Sequence, residues 1–187
     1  MAATADLYPT TVATTTGTTW ASTTNATGST ASNYATFTNV ASGGVGTIRL
    51  SGYNAQANTN GGVAPVSLDS VDVTVKCFVG NASRTASITV QLFTGATPIG
   101  TSTALAIQTT PGTPQTFNLT GAKIPTWAQM SDLQATVSFT RTAVTTANVF
   151  SLDYVGVVIN YTGQAAPFIA ASPTVISQIP VQRASTY

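Results

Sequence analysis

The side chains of this chain that could do chemistry are few and widely spaced. The sequence has no His, one Cys, and five acidic residues against six Lys and Arg. A Ser-His-Asp triad is therefore excluded, and acid–base catalysis would depend on carboxylates, lysines, tyrosines or the thiol. All of the acidic residues are aspartates, namely Asp6, Asp69, Asp72, Asp132 and Asp153.

Two pairs of these carboxylates could be proposed for glycosidic bond cleavage, which needs a carboxyl group on each side of the bond. One pair is Asp69 with Asp72, and the other is Asp132 with Asp153. Because side chains alternate between the faces of a strand, the odd separation of Asp69 and Asp72 predicts that they point to opposite faces. They would then not flank one bond, and we predict that the protein is not an enzyme.

Asp153 lies in the most apolar stretch of the chain, where an ionised carboxylate requires a partner. We expect an ion pair with Arg141 or Lys76. The single Cys77 lies within an apolar alternation, which predicts a small buried side chain and excludes both an internal disulfide and a Cys-based zinc site. The aspartates are too scattered for a calcium site, and no glycine-rich loop precedes a helix with Lys, so we expect no metal and no cofactor.

The charge distribution limits the partners. Charged residues make up 6% of the chain, the net charge is +1, and the six cations are spread along the sequence. Phosphate binding needs clustered cations, so we expect no nucleic acid. No basic segment precedes an apolar run at the N-terminus, and no run of about 18 apolar residues occurs, so we expect no signal peptide, no membrane partner and synthesis in the cytoplasm.

Apolar and polar residues alternate with a period of two across the middle of the chain, which is typical of half-buried strands. Val71 to Cys77 and Ala86 to Leu92 are two such runs, and the Gly80–Ser83 break between them predicts an antiparallel hairpin. Leu133 to Phe139 repeats the pattern. Further short strands are expected at 34–38, 47–53, 102–108 and 115–119.

The stretch Val149–Tyr161 is apolar at both odd and even positions, which predicts a central strand covered on both sides. Phe150, Leu152, Tyr154 and Val158 would lie on the face opposite to Val155, Val157 and Ile159. No segment has helical spacing over three turns. We therefore predict an all-β fold, a jelly-roll β-sandwich of about eight strands.

Two segments flank this pattern. The Thr-rich first 30 residues could be an interface or part of the sandwich, and Trp20 favours an ordered segment. From residue 163 to 187, prolines punctuate an apolar sequence and predict an extended arm, following a domain at 1–162. We expect the arm to form a subunit interface on a neighbouring chain, with its own domain as the alternative. Its apolar residues are Phe168, Ile169, Val175, Ile176, Ile179 and Val181.

From Leu7 to Tyr161 the sequence resembles a jelly-roll module of tailed bacteriophage structural proteins, especially small tail and capsid accessory proteins. Trp20, Trp127 and the order of the other motifs along the chain carry the resemblance. The matching motifs are Tyr8-Pro9, Trp20 before Asn25-Ala26, Asn33-Tyr34-Ala35-Thr36, Trp127 before Ser131-Asp132, and the closing strand from Leu152 to Thr162.

This resemblance implies a virion structural protein that acts by assembling with other virion proteins, without a cofactor. A minor tail protein present as a homo-oligomer is the preferred interpretation, and a capsid decoration protein is the alternative. A second alternative is a carbohydrate-binding module for host-surface glycans. Sugars would then stack on Trp20 or Trp127, or on Tyr8, Tyr34 or Tyr53, which also lie near predicted strand ends or loops. Core or interface packing is the favoured role for these aromatic residues.

Overall fold

Two antiparallel sheets pack face to face in a computed structural model that describes residues 1–16, 20–28, 33–39, 43–111, 113–142 and 146–163. Sheet A has the strand order β3-β4-β11-β6-β9, with β1 also paired to β11, and sheet B has the order β2-β5-β10-β7-β8. The predicted all-β jelly-roll sandwich is confirmed. The strands are β1 Ala2–Ala3, β2 Thr11–Thr16, β3 Trp20–Ala21, β4 Ala35–Asn39, β5 Val45–Ser51, β6 Ser67–Val79, β7 Thr85–Thr94, β8 Thr97–Leu105, β9 Gln115–Leu119, β10 Leu133–Arg141 and β11 Asn148–Thr162.

Helical structure in the described ranges is limited to short segments. One α-helical turn, α1, spans Ala55–Asn58. The 3-10 turns span Thr23–Ala26, Asn60–Gly62, Ala82–Arg84, Gly121–Lys123 and Ala128–Asp132. Within those ranges, no helix has the length and apolar character that crossing a membrane requires.

The core fills the space between the two sheets. Valines at alternate positions of β6, Val71, Val73 and Val75, are fully buried and point toward sheet B. At one end of the sandwich, the rings of Phe139 and Phe150 stack with centroids 5.0 Å apart, so that sheet B and sheet A meet through aromatic packing. Each strand thus directs the side chains of one face into the core, as the period-two pattern predicts.

The predicted hairpin of β6 with β7 is wrong. After Val79, the 3-10 turn Ala82–Arg84 takes the chain from sheet A to sheet B, where β7 pairs with β10 and β8. Two strands with one apolar face each can bury those faces by packing across a sandwich as well as by lying side by side. The alternation therefore indicates the faces correctly but does not distinguish the two arrangements.

The central position of β11 is confirmed, because it pairs with β6 along one edge and with β4 and β1 along the other. The predicted division of its faces is wrong. A bulge at Asp153 inserts one residue relative to β6, so Phe150 and Leu152 point into the same core as Val155. Tyr154 then points to the outside of sheet A and is only partly buried.

The Thr-rich N-terminal segment contributes to the sandwich. Its β2 forms an edge of sheet B beside β5, and Trp20 in β3 packs on the core with its ring stacked on Phe37. With β1, these strands account for the difference between the eleven strands in the described residues and the eight or so expected. The interface residues predicted in the arm, Phe168 to Val181, lie outside the described residues.

Replacing Phe139 by Ala should destabilise the domain by about 3–5 kcal/mol, because a fully buried ring that stacks on Phe150 leaves a cavity. Urea unfolding measures this change. Val149→Ala, at a position that is 40% exposed, is the control and should change the free energy of unfolding by about 0.5 kcal/mol or less. Equal losses in both variants would contradict the assignment of the core.

Cys77 should make stability depend on alkaline pH. Burial raises the pKa of its thiol from 9.0 to about 12, so the folded state keeps the proton after the unfolded state has lost it. The contribution is complete below pH 9.0 and is lost as the pH rises toward about 12. Cys77→Ala should flatten the decline in unfolding free energy over this window, and an unchanged slope would contradict the burial argument.

Candidate functional site

The outer face of sheet A is the most distinctive surface of the described chain. Its floor runs across β11, β6 and β9 through Gly156, Thr74 and Thr116, which are aligned by strand pairing. The hydroxyls of Thr74 and Thr116 lie 2.9 Å apart and share a hydrogen bond. Aromatic side chains lie toward one end of these strands and amide and carboxylate groups toward the other.

Four partly buried aromatic side chains form what we call the aromatic end, namely Tyr8, Tyr34, Phe78 and Tyr154. Tyr8 packs edge-on against Tyr154 with ring centroids 5.7 Å apart, and Tyr34 packs edge-on against Phe78 at 5.0 Å. Gly156 allows this arrangement, because a Cβ at that position would lie 3.3 Å from the Tyr8 ring. Edge-to-face pairs hold the rings in place without covering both ring faces.

A buried ion pair lies beneath the aromatic end. Lys76 Nζ lies 2.8 Å from Asp153 Oδ2, and the Asp153 side chain is fully buried while Lys76 retains 20% exposure. The hydrogen bond to this carboxylate raises the pKa of Lys76, and the nearby Tyr34 and Tyr154 add to the effect. The expectation of a partner for Asp153 is confirmed, with Lys76 rather than Arg141 in that role. Arg141 is buried in β10 of sheet B.

The opposite end carries a hydrogen-bonded group that we call the amide cage, made of Ser70, Asp72, Asn118 and Asn160. Asn118 Nδ2 donates to Asp72 Oδ1 at 2.6 Å and to Ser70 Oγ at 3.2 Å. Asn160 Nδ2 donates to Asp72 Oδ2 at 2.9 Å and to Ser70 Oγ at 3.0 Å. These contacts are cross-strand, since Asn118 lies opposite Asp72 on β9 and Asn160 lies opposite Ser70 on β11.

The odd separation of Asp69 and Asp72 predicts that they point to opposite faces of the sheet, and the position of Asp69 differs from this prediction. A second bulge places it as an extra residue between Leu68 and Ser70 of β6, where it accepts hydrogen bonds from Ser67 Oγ at 2.7 Å and Thr162 Oγ1 at 2.9 Å. Thr162 follows Asn160 by two positions, so both carboxylates lie on the same side of the sheet. The argument from opposite faces is therefore wrong.

The chemistry of Asp69 nevertheless suits binding more than proton transfer. The hydrogen bonds from Ser67 and Thr162 lower the pKa of its carboxyl group, which keeps it ionised at neutral pH. A general acid needs the opposite shift. In the other proposed pair, Asp132 is exposed before β10 and accepts from Gln134, while Asp153 is buried in sheet A with Lys76, so the two do not form a pair.

Two cavities lie beside the polar end. The first, of about 420 Å³, shares Thr116 and Asn118 with the face and also contains Lys123, whose Nζ donates to Thr103 at 2.9 Å. The second, of about 370 Å³, has a mixed lining that includes Trp127, Leu68 and Ile124 as well as Ser67 and Thr126. Each is open to solvent and could accommodate part of an extended ligand.

The two tryptophans proposed for glycan stacking lie in different surroundings. Trp20 stacks on Phe37, meets Phe150 edge-on and donates its indole N–H to Thr16 O at 3.1 Å, an arrangement that serves packing. Trp127 packs partly on the core and lines the second cavity. Glycan stacking stays a prediction for both residues.

Sequence reasoning identified Tyr8 and Tyr34 as possible stacking residues but missed the amides of the outer face. Tyr53, the third tyrosine in that prediction, is buried in the core. Asn118 and Asn160 are far apart in the chain, and only the strand order β9-β6-β11 brings both onto Asp72. The alternation predicts a covered face for Tyr154, because it does not reveal the bulge at Asp153. Within the described ranges, no group of three or more His, Cys, Asp or Glu side chains is placed to hold a metal ion.

No protein-family model and no curated protein matches the chain. Among solved structures, one described as "CBM4 structure and function" is similar over 83% of this chain and 94% of its own, with 12% identity and a TM-score of 0.46. The N-terminal cellulose-binding domain from Cellulomonas fimi β-1,4-glucanase C is similar over 86% and 90%, with 13% identity and a TM-score of 0.39. A likeness at this level concerns the fold alone.

Removing Lys76 should leave the Asp153 carboxylate buried without its counter-charge. Lys76→Met should therefore cost about 3 kcal/mol, at the low end for a broken buried pair because Lys76 is 20% exposed. The double variant Lys76→Met with Asp153→Leu should recover most of this loss. Urea unfolding measures both, and Lys123→Met, which removes a cation from the cavity edge, is the control.

A double variant as unstable as Lys76→Met alone would show that the destabilisation comes from lost packing and not from the uncompensated charge.

Proposed function

We propose that this chain is a non-catalytic module that binds a glycan on the outer face of sheet A and serves attachment to a host surface. The observation that carries the proposal is the combination on one face of partly exposed aromatic rings and a fixed array of amide, carboxylate and hydroxyl groups. Sugars offer both an apolar ring face and many hydroxyls. Few other ligands would use both kinds of contact along one extended surface.

The dimensions of the face suit an extended ligand. From Phe78 at the aromatic end to Ser70 in the amide cage, β6 covers about 26 Å at roughly 3.3 Å per residue. The floor between them is low at Thr74 and Thr116, whose side chains are short, and the Tyr8 ring lies over Gly156 as part of the aromatic end. A short oligosaccharide lying along the strands would contact both ends at once.

The outer face of sheet B provides an internal comparison. Its outward positions on β5, β10 and β7 carry mainly Ser and Thr, and its aromatic residue Phe93 is covered by the Arg49 guanidinium at 4.0 Å from the ring centroid. Arg49 is itself held by Thr136 and Gly95. The uncovered rings are thus concentrated on the outer face of sheet A.

The place of the module on a tailed-phage particle rests on the resemblance of the sequence. Assembly as a minor tail protein or as a capsid decoration protein would depend on the arm after Gly163 and on partners from the virion. Both remain predictions, and host attachment through the face is compatible with either position.

Glycan binding is tested with the aromatic end. On a glycan array and by calorimetry, Tyr154→Ala and Tyr34→Ala should each weaken binding at least about tenfold, equivalent to about 1.4 kcal/mol, because they remove rings available for stacking. Phe93→Ala is the matched control, an aromatic residue on the other sheet, and should leave binding unchanged.

Trp127→Ala distinguishes the predicted stacking of a sugar on Trp127, in the second cavity, from binding on the proposed face. Loss of binding only in Trp127→Ala would move the site to that cavity. Absence of any glycan bound by the wild-type domain would overturn the proposed function.

A further inference from the structure

In the amide cage, the N–H donors of the two Asn side chains are all used, whereas their carbonyl acceptors are not. An Asn side chain has two N–H donors and one carbonyl acceptor, and here both donors of Asn118 and both donors of Asn160 are used within the cage. Each donates once to Asp72 and once to Ser70. In the described residues, no group donates to either amide oxygen.

Asp72 fixes this orientation. A carboxylate accepts hydrogen bonds and cannot donate, so an amide that approaches it must turn its nitrogen inward. The two bonds to Asp72 are short, 2.6 Å from Asn118 and 2.9 Å from Asn160, as is typical when the acceptor is charged. The amide oxygens of both Asn side chains are consequently the groups left for a ligand.

The remaining groups of the cage also offer mainly hydrogen-bond acceptors. Asp72 keeps unused lone pairs on its two oxygens, and Ser70 already accepts two hydrogen bonds, which leaves its hydroxyl hydrogen as the cage's one spare donor. Asp69 adds a second carboxylate on the same side, held by Ser67 and Thr162. This end of the face therefore offers mainly acceptors and carries negative charge.

We infer that the amide cage selects neutral glycans, which supply hydroxyl donors, and rejects acidic ones such as uronate or sulfated chains. The inference rests on the proposed function and adds the class of sugar. A carboxylate or sulfate on the ligand would face Asp72 and Asp69 with like charge and would find one donor hydrogen in the cage. Asp72 acts as a positioning residue, because it orients the amides that contact the ligand.

The cations near the face do not lie within the amide cage. The N-terminal amino group attracts the Asp69 carboxylate and adds to the lowering of the pKa of that carboxyl group, as the smallest of the effects on it. Lys76 is bound to Asp153 at the aromatic end. Lys123 lies across β9 in the adjoining cavity, where it is bonded to Thr103. An acidic sugar could meet Lys123 by extending past Asn118, which lines both the cage and that cavity.

The test compares neutral gluco- or manno-oligosaccharides with oligouronates of equal length by calorimetry on the full chain. Wild type should bind the neutral series and bind oligouronates at least about tenfold more weakly. Asp72→Asn should lower affinity for the neutral series about tenfold and narrow the difference between the two series, because the amides lose their charged acceptor and become free to turn. Asp132→Asn, at an exposed aspartate outside the face, should change neither.

Asn118→Ala provides a second variant if Asp72→Asn unfolds, since Asn118 is exposed on the edge strand β9. It should weaken neutral glycan binding without strengthening oligouronate binding. Oligouronates bound as tightly as neutral chains by wild type would overturn the inference and leave the proposed function standing. Failure of wild type to bind either series would overturn both.

Discussion

The antiparallel ladder between β6 and β11 is the interaction on which the rest of the structure depends. It runs from Phe150 opposite Val79 to Thr162 opposite Ser67, the longest pairing in the sandwich, and its inward side supplies much of the core. A bulge in each strand, at Asp153 in β11 and at Asp69 in β6, resets which residues point inward. The outer face of sheet A is therefore a consequence of how these two strands pair, and every group of the amide cage belongs to this pair or to β9, which borders it.

This dependence explains what could be predicted from the sequence. Alternation in runs such as Val71 to Cys77 identifies strands and their apolar faces, because burial of one face is a local property of each strand. It does not identify partners, so it predicts a hairpin of β6 and β7, which lie in different sheets. Parity arguments also fail at a bulge, since one inserted residue exchanges the two faces. Both bulges occur at aspartates, so an aspartate within an apolar strand is the sequence feature that could have indicated a bulge.

The candidate site was harder to foresee for the same reason. Its amides meet only after three strands from distant parts of the chain are placed side by side in the order β9-β6-β11. Trp20 and Trp127 are the most prominent aromatic residues in the sequence. Trp20 packs on the core, and Trp127 lines a separate cavity. Three of the four rings of the aromatic end are tyrosines, because a phenol with a polar tip can lie at the surface with less cost than an apolar ring.

The scarcity of charge in this chain gives the few charges on sheet A particular weight. With 6% charged residues, the protein has little background field to mask a local carboxylate. Lys76 and Asp153 neutralise each other beneath the aromatic end, whereas Asp72 and Asp69 are held by neutral donors and keep their negative charge. Because Asp72 orients both amides before a ligand arrives, the ordering of the amide cage is completed during folding and is not a cost of binding. The rigidity of the paired strands thus favours selectivity for hydroxyl donors more than it favours adaptable binding.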